Sequence, residues 1–147
     1  MRNNVLIIGG GPVGLCLSLA LAKRGLEVDL VERQDAEALT APAYDGREIA
    51  LTEASIRLLQ TLGVWTRLPG EAIAPVARAH IMDGADDGFV VDAAALERER
   101  LGVLVSNHAI RAAAWQAAAA EPRIRLHAGV AVEQASTDAV SAHVHLA

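Results

Sequence analysis

The residues Gly9-Gly10-Gly11-Pro12-Val13-Gly14 have the types and spacing to hold a diphosphate. Gly9, Gly11 and Gly14 stand at the GxGxxG positions. The first lets the chain turn sharply, the second lets backbone approach a pyrophosphate, and the third lets a following helix lie close on a sheet. Pro12 suits the first helical turn, where its missing N–H would have had no partner, and Val13 shares that turn. A diphosphate placed there faces the helix N-terminus, whose free N–H groups and dipole favour negative charge. Glu32 follows about 20 residues later, as a dinucleotide fingerprint requires. Its carboxylate can accept hydrogen bonds from a ribose hydroxyl and repels a 2′-phosphate, which disfavours NADP at this first site. An ordinary glycine turn without a ligand needs none of these neighbours, so the stretch reads as a dinucleotide site.

The elements that must position these residues are legible around them. Val5-Leu6-Ile7-Ile8 reads as a strand, the Ala/Leu-rich segment to Arg24 as a helix closed by Gly25, and Val28 to Val31 as a buried parallel strand. Lys23 and Arg24 fall in the expected last turn, where cations complement the dipole. Elements packed all round that helix would account for its apolar surface. Arg33 to Ala43 reads as a polar loop. Thr52 caps a helix with Ile56, Leu59 and Leu62 at helical spacing, and Gly63 ends it; Trp65 and Leu68 pack beneath its end. Val76 to Met82 reads as one strand, followed by a turn through Asp83-Gly84 and Asp86-Asp87-Gly88 into Phe89-Val90-Val91, a hairpin. Ala93 to Arg100 is ambiguous. Val103 to Val105 is a short strand, and Ser106 or Asn107 caps an Ala-rich helix running to about Glu121 before Pro122. Strands follow at Ile124 to His127, Val130 to Val132, and Val140 to Leu146 after a Thr137-Asp138 turn. The chain stops inside this strand pattern, which reads as part of a longer protein.

Composition narrows the function further. The 147 residues make one domain, and a 52% apolar content is enough for a sizeable core. A net charge of −5 without a basic cluster argues against nucleic acid as a partner. Cys16, the one cysteine, leaves no internal disulfide and points to a reducing compartment; within the first helix it reads as a small core residue. A core strand so soon after Met1 leaves no space for a signal peptide, so the expected location is cytoplasmic. No apolar run reaches the ~18–20 residues that cross a bilayer, which leaves only peripheral membrane contact. The five histidines show no metal spacing, and neither a Ser/His/Asp set nor a pair of catalytic carboxylates stands out.

The glycine stretch, Glu32-Arg33, the Asp45-Gly46-Arg47-Glu48-Ile49-Ala50-Leu51-Thr52 segment, and Leu101-Gly102-Val103-Leu104-Val105 leading into Asn107-His108 together resemble the FAD-dependent aromatic-ring hydroxylases. Within these class A flavoprotein monooxygenases the likeness is to the ubiquinone-biosynthesis hydroxylases. The Asp45–Thr52 wording looks most like the branch acting on demethoxyubiquinol. The resemblance covers essentially the whole chain but only the N-terminal portion of the family's usual length. It implies an α/β, Rossmann-like FAD-binding domain over residues 1–147, with a parallel sheet and an antiparallel strand region. The substrate domain and the family's later Asp-Gly and Gly-Asp motifs are absent from the matching place.

The resemblance also implies roles. Gly9, Gly11, Pro12, Val13 and Gly14 would face the FAD pyrophosphate, Glu32 the adenosine ribose and Arg33 the adenine edge. Arg47 matches an arginine lying along FAD, Asn107 a polar residue that reaches the cofactor from the start of its helix, and Val132 a strand position whose backbone meets the adenine. Read from the residues alone, Arg47 is a solvated loop arginine with Glu48 beside it, Arg33 a surface charge and Asn107 a helix N-cap. The implied reaction is ring hydroxylation of a small-molecule aromatic or quinol substrate, with NAD(P)H as transient electron donor and O2. No catalytic acid or base and no metal ligand is named. A polyprenyl substrate would bring peripheral contact with the inner face of a membrane. Another FAD- or NAD-dependent oxidoreductase, or a non-catalytic nucleotide-binding fragment, shares the same fingerprint.

Overall fold

In the computed structural model, residues 4–84 and 88–147 are described; the Asp86-Asp87 part of the expected turn lies outside them. Strands β1 (Asn4–Ile8), β2 (Glu27–Glu32) and β8 (Ile124–Ala128) form a parallel sheet in the order β1-β2-β8. Its register pairs Ile8 with Val31 and Glu32 with Ala128, so these strands deliver their C-terminal ends side by side. β1 is an edge of this sheet. A second, antiparallel sheet has the order β3-β7-β4, with β3 at Glu48–Leu51, β4 at Ile73–Val76 and β7 at Gly102–Ser106. Two hairpins complete the described strands: β5 (Arg78–Ile81) with β6 (Phe89–Asp92), and β9 (Val132–Thr137) with β10 (Ala142–Leu146).

Helix α1 (Pro12–Ala22) follows the glycine turn, and it carries no charged residue. Ser18, fully buried, donates its hydroxyl to Gly14 O at 2.8 Å, which satisfies the one polar side chain of the helix. The helix ends at Ala22, so Lys23 and Arg24 lie just past its last turn. Leu15 and Leu19 pack with Val28 and Leu30 of β2 in the core. Helix α4 (Asn107–Ala119) lies against α1 through buried alanines, including Ala113, Ala114 and Ala117, whose small side chains allow close approach. Cys16 is only half-buried, because on the side facing α3 (Glu53–Leu62) the α1 surface borders an apolar groove of about 610 Å³ instead of packed core. Burial pushes its thiol pKa up.

The caps of α3 stand where the sequence puts them. Thr52 Oγ1 accepts from Ser55 N at 3.3 Å, and Gly63 ends the helix, with Ile56, Leu59 and Leu62 buried along one face. Trp65 opens a single 3₁₀ turn beneath that end, and Leu68 is buried.

Four expectations need correction. The loop from Arg33 contains a short helix, α2 (Ala36–Thr40), because Asp35 Oδ1 accepts from Ala38 N at 2.8 Å and caps it. The single strand at Val76 to Met82 is two strands in different sheets, β4 and β5, parted at Ala77. α4 stops at Ala119, short of Glu121, and the ambiguous Ala93–Arg100 stretch holds one 3₁₀ turn, Ala94–Leu96. The strand expected at Val130 to Val132 begins only at Val132 and runs on to Thr137.

The sheet face away from α1 carries a cross-strand ion pair. Arg125 donates Nε (2.8 Å) and Nη2 (2.6 Å) to the Asp29 carboxylate, and His127 Nε2 lies 2.8 Å from Asp29 Oδ1. The Arg125 hydrogen bonds, ahead of that of His127, hold the Asp29 pKa down at about 2, against the ordinary 3.8. The folded chain therefore binds this proton more weakly than the unfolded chain. The stabilisation is complete above the unfolded pKa and is lost as pH falls through the folded value. Urea denaturation at steps from pH 5 to pH 2 should accordingly show a falling midpoint, and Asp29→Asn should flatten that fall.

Candidate functional site

The fingerprint glycines have three different surroundings. Gly9 follows β1 with φ +108°, a region that penalises any side chain, and its N–H donates to Val31 O at 2.8 Å. Gly14 is a close approach: a Cβ there would sit 2.0 Å from Gly9 O and 3.5 Å from Ile7 Cγ2. At Gly9 and Gly11, by contrast, a Cβ would meet nothing within 4 Å. That open space lies ahead of the N-terminus of α1. Gly11 is the N-cap and Pro12 the first helical residue. Leu15 N to Gly11 O (3.0 Å) is the first helical hydrogen bond, so the Val13 and Gly14 N–H groups before it have no helical acceptor. Val13 is 82% exposed beside them. Open space, free N–H groups and a helix dipole together suit an anion.

Glu32 borders the same space. Its Oε2 accepts from Gly10 N at 2.6 Å and its Oε1 from Gln34 N at 2.8 Å. A carboxylate offers about four lone-pair sites, so each oxygen keeps capacity for a ribose hydroxyl. Val130 N donates to Glu32 O (3.0 Å) and Gly129 N to Gln34 O (2.8 Å), which pins the turn before β9 against this strand end. Between them lies a cleft of about 330 Å³, lined by Gly9, Glu32, Arg33, Val130 and Val132 among others. Arg33 is exposed at its rim. The structure thus gathers the glycine turn, Glu32, Arg33 and Val132 in one place.

Arg47 and Asn107 form a second cluster. The β3–β7 register pairs Glu48 with Ser106, and the ladder continues as Asn107 N donates to Arg47 O at 2.8 Å. Arg47 turns its guanidinium to Asp45, not Glu48: Nε at 2.9 Å and Nη2 at 2.5 Å from Asp45 Oδ2. Asn107 is not the cap of α4. Ser106 holds the N-cap position, and the Asn107 amide donates Nδ2 to the same Asp45 oxygen at 2.7 Å. These hydrogen bonds, Arg47's first, hold the Asp45 carboxyl well below the usual carboxylate range. Tyr44 adds an edge-on ring contact with His108, at 5.2 Å between centroids. Asp45 was missed in sequence because its Asn107 partner lies 62 positions away. Pro12, Val13 and Asn107 all border the apolar groove along α1, which links the two clusters.

Residues 2–146 match the FAD binding domain family. The chain belongs to that family. It is 34% identical to the ubiquinone hydroxylase UbiM of Neisseria meningitidis serogroup C, over 99% of this chain and 33% of the relative. It is 35% identical to the 3-demethoxyubiquinol 3-hydroxylase of Escherichia coli K12, over 83% of this chain and 32% of the relative. The chain therefore spans about a third of the length of these curated relatives. The crystal structure of p-nitrophenol 4-monooxygenase PnpA from Pseudomonas putida superposes with a TM-score of 0.73 at 17% identity, covering 99% of this chain and 36% of PnpA. At that identity the likeness establishes the fold, the Rossmann-like α/β arrangement expected from the sequence. The family's cofactor is FAD, and the open, anion-suited space at Gly9 and Gly11 fits it. Among the described residues no helix is long and apolar enough to cross a membrane.

The contrast between the glycines is testable by urea denaturation. Gly14→Ala should lose about 1–3 kcal/mol to the clash with Gly9 O, in line with overpacked sites. Gly11→Ala, at φ −72° and facing open space, should stay within about 0.5 kcal/mol of the parent.

Proposed function

We propose that this chain supplies the ADP-binding half of the FAD site in a monooxygenase that hydroxylates the aromatic ring of a ubiquinone precursor, using NAD(P)H and O2. The observation that carries the reading is the open space before α1, flanked by Glu32 and continuous with the cleft at Val132. The relatives at 34% and 35% identity support the hydroxylase class by what they act on. The Asp45–Thr52 segment, whose wording resembles the branch acting on demethoxyubiquinol, contains strand β3, with Arg47 immediately before it.

In this reading the backbone at Gly9, Gly11, Pro12, Val13 and Gly14 faces the pyrophosphate. Glu32 accepts from the adenosine ribose, and Arg33 with the Val132 backbone borders the adenine. Arg47 presents its guanidinium along the cofactor, with a side chain that is 66% exposed, and Asn107 reaches it from the first turn of α4. When bound, FAD supplies the redox and oxygen chemistry; these residues bind it, orient it and exclude water from its phosphates. A small aromatic or quinol ring is the substrate class. A polyprenyl tail on it would draw the intact protein to a membrane surface.

Titrating the purified chain with FAD, and separately with NAD, while following flavin absorbance and fluorescence tests the reading. FAD should bind more tightly than NAD, because the two share the ADP moiety and only FAD is expected to gain the Arg47 and Asn107 contacts. Gly11→Val should abolish uptake, and Arg47→Ala should weaken it roughly 10- to 100-fold, the range for a lost charge-assisted contact. A well-folded chain that takes up NAD and leaves FAD free would overturn the proposal.

A further inference from the structure

Arg47 and Asn107 share one partner to which no role has been given. Asp45 Oδ2 accepts from Arg47 Nε, Arg47 Nη2 and Asn107 Nδ2, while Asp45 Oδ1 accepts from the Arg47 backbone N–H at 3.1 Å. One carboxylate therefore fixes the guanidinium plane, the loop that carries it and the amide on α4. Asn107 is 5% exposed, so its amide has little freedom once this bond is made. Arg47 is different. Asp45 engages Nε and Nη2, and the side chain is still largely in solvent, so Nη1 and the outer edge of the fork stay available to a ligand.

We infer that Asp45 is a positioning residue for the FAD site: it holds Arg47 and Asn107 in the orientation in which they meet the cofactor. The inference rests on the cofactor reading above and goes beyond it. The alternative is simple electrostatics, in which Asp45 is an anion near an anionic ligand and hinders binding. The two ideas differ in sign. Coulomb repulsion predicts that removing the carboxylate tightens FAD binding. Positioning predicts that removal weakens it, because Arg47 and Asn107 must then be ordered at the expense of binding.

FAD titration of the full chain by flavin fluorescence decides between them, with wild type, Asp45→Ala, Asp45→Asn and the Arg47→Ala/Asn107→Ala double variant with and without Asp45→Ala. Positioning predicts about tenfold weaker binding for Asp45→Ala. Asp45→Asn, which keeps an acceptor oxygen, should recover part of that loss, and it carries the test if the alanine variant does not fold. In the double-variant background, Asp45→Ala should change the affinity no further, because its two intermediaries are gone. A general structural role would leave the Asp45 effect intact in that background. Unchanged or tighter binding by Asp45→Ala, or an effect that persists without Arg47 and Asn107, overturns the inference alone. Failure of the wild-type chain to take up FAD overturns the cofactor reading and the inference with it.

Discussion

The nucleotide-facing surface depends on one carboxylate. Glu32 leaves the end of β2 and accepts Gly10 N–H on one oxygen and Gln34 N–H on the other. The first bond ties the glycine turn to the neighbouring strand end, and the second shapes the chain as it departs toward α2. Parallel pairing makes this possible, since Ile8 opposite Val31 brings turn and acid off the sheet at the same level. A Cβ at Gly10 would lie 2.9 Å from Glu32 Cβ, so a bare backbone there is what lets the carboxylate reach across. The Glu32 carbonyl then accepts from Val130, which fixes the far wall of the cleft. Turn, acid and wall form one hydrogen-bonded unit.

Much of this unit is legible in sequence because its signals are local. The glycine spacing, Pro12 and the acid after the second strand each have a fixed place in a βαβ unit. Thr52 and Gly63 bracket α3 for the same reason: caps are set by the residues next to them. What was hidden depends on partners distant in the chain. Asn107 has a cap-forming side chain at a helix start, yet its amide serves Asp45, which the β3–β7 register brings alongside. The strand pattern through Val76 to Met82 carries no mark of where the chain leaves one sheet for another hairpin. α2 is five residues long, too short to show a helical period, and only the Asp35 cap and Glu37 in its first turn mark it.

The helical layer shows the same division between local and distant causes. A helix α1 that is apolar but for Ser18 indicates cover on several sides, and the sheet and α4 provide it on two. On the α3 side, Leu17 and Leu58 remain exposed along the groove. The apolar surface of α1 was plain in the sequence. Which flank stays open was not, because that is decided by where α3 and β3 come to rest.

The position of β1 at a sheet edge has a consequence for the chain's behaviour in bulk. Gly9 N donates to Val31 O, so by the alternation of a parallel strand Val5 and Ile7 also turn their backbone groups toward β2. Leu6 and Ile8 turn theirs outward, and both side chains are exposed. An open row of donors and acceptors beside apolar side chains is a template on which another chain can add a strand. Dispersion of the isolated chain is thus a contest between that sticky edge and the net charge of −5 that keeps molecules apart, so its colloidal behaviour should worsen with concentration and with added salt.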